Sequence, residues 1–164
     1  KNKIPLKTNR KDKNNYTANV SFEEKNIIRV LKGPQFDYFS ESSKKEFFSK
    51  EYKITNLTDR MGMRLEGKVL KSIVSTNIRS EGITKGAIQV PADGQPIVLL
   101  TDHPTIGGYP KIANVISADY DLLVQKIPGT NISFKCIELQ EAEKLYKEWC
   151  SNISKIVKNI KKIK

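Results

Sequence analysis

The sequence predicts a mostly β protein, a closed or nearly closed antiparallel barrel with short helices and a carboxyl-terminal helix. Three observations carry this expectation. Short apolar runs with period-two alternation recur along the chain, Gly, Pro and Asp turn signals interrupt them at close intervals, and a sustained helical period occurs only near the carboxyl end. A doubly wound sheet would need a helical segment between successive strands, and the turns lie too close together for that.

Taken in order, residues 1–25 are rich in Lys and Asn and read as a polar arm or linker. The barrel domain is expected over 26–139. It opens with IIRVLK, a strand from Ile27 stopped by Gly33-Pro34. Phe36, Phe39, Phe47 and Phe48, spaced among serines, predict two short helical turns packed on the core. EYKITNL (51–57) alternates as a strand. Gly62 and Gly67 bracket another, MRLE, with Arg64 and Glu66 on one face, where an ion pair between them is expected, and Met63 and Leu65 on the other.

The block GAIQVPADGQPIVLL (86–100) is the clearest hairpin, two apolar strands around an Asp93-Gly94 tip. The chain leaves it through His103-Pro104 and Gly107-Gly108 and resumes an extended apolar path at YPKIANVIS. A short helix is expected over Asp119–Val124 with Asp119 as N-cap. Pro128-Gly129 turns into a strand, NISFKCIEL. Over 140–164, Ala142, Leu145, Trp149, Ile153, Ile156 and Ile160 recur at three- and four-residue intervals, predicting an amphipathic helix with a basic face.

The 164 residues, 38% of them hydrophobic, suffice for one domain with a real core. Lys and Arg number 29 against 18 Asp and Glu, a net charge of +11. Most of that excess sits at the two ends, and no aromatic-plus-basic motif accompanies it, so no nucleic-acid partner is expected. No apolar run is long enough to span a bilayer and no leader pattern is present, so the expectation is a cytoplasmic protein with no membrane partner. Two cysteines and a single histidine give no metal-ligand spacing.

GxSxG, P-loop, HExxH and CxxC motifs are all absent. His103, followed by Pro104 in a turn, reads as a surface hydrogen-bonding residue. What remains is a set of polar residues at strand ends and turns, including Lys111, that can grip an amide or ureido group at a barrel rim and stabilise an oxyanion. Within it, Arg60, Gln89, Gln95, Thr105 and Tyr109 are the candidate substrate-orienting residues. Asp102 and Glu81 are the candidate proton acceptors.

Longer segments carry a family resemblance: RVLKGPQFDYF (29–39), LTDRMGMRLEG (57–67), and SEGITKGAIQVPADGQPIVLL running on through TDHPTIGGYPKIANVISAD (80–119). The chain resembles the carboxyl-terminal half of the biotin-dependent carboxyltransferase or allophanate hydrolase subunit 2 family, also described as the C component of 5-oxoprolinase and including KipA-like proteins. The resemblance spans roughly residues 27–145. It implies a cyclophilin-like barrel and a hydrolase component acting on C–N bonds within a carboxyltransferase-like or ATP-dependent 5-oxoprolinase complex, with no activity alone. The implied partners are a first-subunit homologue (allophanate hydrolase subunit 1, the B component of 5-oxoprolinase, or KipI-like) and the glycine-rich amino-terminal half. Neither biotin nor ATP is expected to bind this chain directly: biotin would arrive as carboxybiotin on a partner domain, and ATP would act in the complex. The alternative the resemblance offers is a non-catalytic KipA-like regulatory module.

Overall fold

The structure, a computed structural model, describes residues 2–6, 16–20 and 25–162. They divide into two compact units. One comprises the described residues of Lys1–Glu24 and Glu143–Lys164. In it, β1 (Asn2–Leu6) and β2 (Tyr16–Val20) pair antiparallel. Neither strand is legible in the Lys/Asn-rich composition of this segment.

The other unit, Lys25–Ala142, is built on a barrel. Its elements are β3 (Ile27–Lys32), a 3-10 turn (Phe36–Tyr38), α1 (Glu41–Ser49), β4 (Tyr52–Ile54), β5 (Gly62–Glu66), β6 (Glu81–Gly82), β7 (Ala87–Gln89), β8 (Ile97–Leu99), β9 (Ile106–Gly107), β10 (Lys111–Val115), α2 (Ser117–Val124) and β11 (Asn131–Cys136). Seven strands close in the order β10-β3-β11-β4-β5-β8-β7, with β7 returning to β10. The remaining two, β6 and β9, pair with each other as a ribbon outside the barrel. α3 (Leu139–Lys158) begins in this unit and runs into the first one, where β12 (Lys161–Lys162) pairs with β2. No helix among the described residues is long and apolar enough to cross a membrane.

The barrel is not wholly antiparallel. β11 runs parallel to β3, in the register Ser133↔Ile27 to Cys136↔Val30. The reason is topological: β10 and β11 flank β3, and α2 turns the chain back between them. A strand reversed relative to β10, which is itself antiparallel to β3, must run with β3.

Alternation fills the interior. Ile28 and Val30 of β3, Tyr52 and Ile54 of β4, Met63 and Leu65 of β5, and Ile132 and Phe134 of β11 all enter one core cluster. Each such side chain contributes about 1.5–3 kcal/mol on burial. α1 closes one side of this core with Phe47, stacked on Phe134 at 4.7 Å between centroids. Phe39 and Phe47 are fully buried, while Phe36 and Phe48 pack against the cluster from partly buried positions. The start of α1 is fixed by Ser40, whose hydroxyl accepts from the Ser43 N–H. Ser43 in turn accepts from the Lys71 N–H at 2.8 Å.

Two expected interactions are absent. Arg64 and Glu66 share the exposed face of β5, but no ion pair joins them; adjacent exposed side chains gain too little to be held together. α2 begins two residues before Asp119, with Ile116 at the N-cap and no side-chain cap. The Asp119 carboxylate is buried and is taken up instead by Arg29.

Candidate functional site

β7 is buried along its whole length, an unusual pattern for an alternating strand. Ile88 faces the core, whereas Ala87 and Gln89 point to the outer wall, where Ile83 from the segment after β6 covers them. β10 shows a similar run: Lys111, Ile112 and Ala113 are all buried. A β-bulge explains it, since the β7–β10 register slips between Lys111↔Gln89 and Ala113↔Ile88. The extra residue re-aims Lys111 beside Gln89, and bulges serve this purpose next to functional sites.

The ribbon completes the enclosure. Glu81 of β6 lies opposite Gly107 of β9, and Gly107 lies directly against the Gln89 carboxamide. The Glu81 carboxylate ion-pairs through Oε1 with Lys111 Nζ. The same oxygen accepts from Gln35 Nε2 at 2.7 Å. Gln35 is placed by the tight turn after β3: its N–H donates to the Lys111 carbonyl at 3.3 Å, and its Oε1 accepts from the Lys111 N–H at 3.1 Å. Gly33 permits that turn, because a Cβ there would come within 2.2 Å of the Lys111 carbonyl oxygen.

Gln35, Glu81, Gln89 and Lys111 therefore form one polar cluster on the outer wall of the barrel, beneath the ribbon. Its electrostatics are uneven. Lys111 and Gln89 are only 4% and 6% exposed, and both Lys111 Nζ and Gln89 Nε2 are buried without an aligned hydrogen-bond acceptor. An ammonium carries three donors, so the Glu81 contact leaves donors to spare. Glu81 receives both of its contacts on Oε1, which leaves Oε2 without a partner among the described residues. The neighbouring Lys111 ammonium, then the Gln35 amide, hold the Glu81 carboxyl below its usual range. A buried donor without an acceptor is costly and native folds rarely keep one, so the Gln89 carboxamide suits a ligand that brings an oxygen.

Two of the seven residues singled out from sequence, Glu81 and Gln89, meet in this cluster. Thr105 and Tyr109 flank β9 on exposed positions, and the Thr105 carbonyl accepts from Ile83 N–H at 3.1 Å, helping to fold the ribbon down. The other three are engaged elsewhere. Arg60 and Asp102 pair with each other at 2.7 Å on the surface. Gln95 bridges to Gly67, accepting from its N–H at 2.9 Å and donating to its carbonyl at 3.3 Å. His103 is held within its own turn, with Nδ1 2.6 Å from the Pro104 carbonyl. Gln35 was not among the sequence candidates, and the only local hint is its position just after Gly33-Pro34. Among the described residues no group of three or more His, Cys, Asp or Glu is placed to hold a metal ion.

A closed β-barrel with a lysine–carboxylate–carboxamide cluster on its covered outer wall is the class of domain this chain defines, and known proteins resemble it in sequence and in fold. Residues 1–136 match the family described as carboxyltransferase domain, subdomain A and B. The chain is 40% identical over 121 residues to the C component of 5-oxoprolinase from Haemophilus influenzae, a match covering 74% of this chain and 39% of that protein. It is 41% identical over 119 residues to the corresponding C component from Escherichia coli, covering 73% of this chain and 38% of that protein. Among solved structures, the Kluyveromyces lactis urea carboxylase matches with a TM-score of 0.75 at 27% identity, over 79% of this chain and 12% of that one. The chain belongs to the carboxyltransferase domain family. It spans well under half the length of the curated relatives it matches.

Proposed function

We propose that this chain is part of a subunit in a carboxyltransferase-like or 5-oxoprolinase-like complex, and that the Gln35–Glu81–Gln89–Lys111 cluster grips the amide group of a urea or lactam substrate. One observation carries the reading: a buried carboxamide donor without an acceptor, and a buried ammonium with donors to spare, stand beside a carboxylate with an open oxygen. Urea and lactams present their carbonyl oxygen and an N–H on the same edge. Lys111 and Gln89 donate to the oxygen, and Glu81 Oε2 accepts from the N–H. A trans peptide amide carries those groups on opposite edges and cannot meet both.

The chemistry follows from the same placement. Charge that develops on the substrate oxygen falls on fixed donors that need no reorganisation. Glu81, kept ionised by Lys111, holds the proton of the reacting nitrogen. Biotin and ATP belong, in this reading, to other parts of the complex. The relatives named as one lettered component of 5-oxoprolinase, and the small share of them that this chain covers, support a partner, which we take to be a first-subunit homologue.

The test is to purify the chain with that homologue and assay both 5-oxoproline-dependent ATP hydrolysis and biotin-dependent carboxylation of urea. The complex turns over one of these substrates, and Lys111→Ala lowers kcat by about 100-fold or more, as expected for losing an oxyanion donor. A stable complex that turns over neither substrate would replace this reading with that of a partner-binding module.

A further inference from the structure

Glycine at position 107 has no backbone explanation. The positive-φ glycines are Gly86, Gly94 and Gly129, and Gly107 is not among them. What its missing side chain spares is crowding against two side chains: a Cβ at 107 would lie 2.7 Å from Gln89 Nε2 and 3.2 Å from Ile83 Cδ1. Both atoms end flexible side chains, so the fold could absorb the methyl group by turning the Gln89 carboxamide aside. The backbone would stay in place, and the buried N–H donor would move.

We propose that Gly107 is a positioning residue for Gln89: by carrying no side chain it lets the carboxamide lie under β9, on the strand position that pairs with Lys111. The opposition of Glu81 and Gly107 across the ribbon, and of Gln89 and Lys111 across the barrel wall, makes position 107 the roof of the cluster. Gly107 touches no reacting atom in this account. Its consequence for ligand selection rests on the reading of the cluster as an amide site, but its action on Gln89 does not.

The experiment separates the two. In the full chain labelled with nitrogen-15, the Gln89 side-chain NH2 resonances are assigned by their loss in Gln89→Ala, and then followed in Gly107→Ala. We expect those two resonances to shift in Gly107→Ala, while the melting temperature stays within about 4 °C of the parent, a change near 1 kcal/mol or less. Titration with urea and with 5-oxoproline should show binding weakened about tenfold by Gly107→Ala, the worth of one hydrogen bond to a buried donor. In the Gln89→Ala background the same substitution should cost nothing further, because two residues acting through one group are not additive. Unmoved Gln89 resonances in Gly107→Ala would overturn the proposal, as would an equal loss of binding with and without the Gln89 side chain. If the parent chain binds neither probe but the Gln89 resonances still shift, Gly107 keeps its positioning role and the amide-site reading falls.

Discussion

Asp119 shows how a single side chain can be claimed by a partner far along the sequence. Its Oδ2 accepts from the Arg29 backbone N–H at 2.8 Å and from Arg29 Nε at 2.9 Å, while Oδ1 meets Nη2. The carboxylate thus satisfies both a backbone donor and a guanidinium in a nearly closed environment. Replacing it takes the acceptor from the Arg29 backbone N–H and removes a buried counter-charge from the guanidinium. Asp119→Ala should destabilise the protein by about 3 kcal/mol, and Asp119→Asn by less, since the amide oxygen can still take the backbone N–H. Urea denaturation measures both, and a loss below about 1 kcal/mol for the alanine variant would show that the pair is not fully formed. The sequence marks Asp119 as a helix cap because a helix follows it, and only the docking of α2 across β3 shows that the carboxylate is committed to Arg29.

Elements differ in how openly the sequence announces them. The β7–β8 hairpin is plain, because alternation on both arms meets at Asp93-Gly94 and Gly94 adopts the positive φ that such a tip requires. β6 and β9 are two residues each and partly exposed, so no periodicity can reveal them. The candidate site suffers the same fate: Glu81 and Gln89 are legible as polar residues near turns, but their meeting with Gln35 depends on the turn after β3 and on the β10 bulge. That turn is testable. Gly33→Ala drives a Cβ into backbone atoms of Lys111, Ile112 and Ala113, which cannot swing away, and should cost about 2–3 kcal/mol. Gly82→Ala, with nothing within 4 Å, should be near neutral, and comparable losses at the two positions would refute this account of β3–β10 closure.

The ribbon also has a pH signature. Lys111 and Gln35 depress the Glu81 carboxyl below its ordinary value of 4.5, so the stabilisation is complete above that value. It is lost as pH falls through the depressed pKa of the folded protein. Hydrogen exchange at the Ile83 N–H, which binds the Thr105 carbonyl, should therefore quicken in acid once corrected for intrinsic exchange. In Glu81→Gln the ribbon should be less protected at neutral pH and show no acid step. A ribbon whose protection ignores both the substitution and the pH would not be tethered by Glu81.

At the scale of the whole molecule, the core cluster among the described residues runs from Ile28 to Phe134, and the seven barrel strands close on one another in a ring that does not include β1, β2 or β12. The four cluster residues fall inside the same limits. A barrel that completes its own hydrogen-bonding ring and its own core meets the physical requirements of an independent domain. A fragment of residues 25–142 should therefore fold cooperatively and keep the Gln89 side-chain resonances of the full chain. Its cut falls in the first turn of α3, where Ala142 is the helix's buried contact, so fraying is expected there and not in the barrel. The net charge argues in the same direction: many of the excess lysines lie outside 25–142, and removing them relieves repulsion without touching the core. A fragment with collapsed methyl dispersion and no cooperative melting transition would mean that the barrel needs the terminal unit to hold its shape, and the site would then have to be regarded as a product of the whole chain.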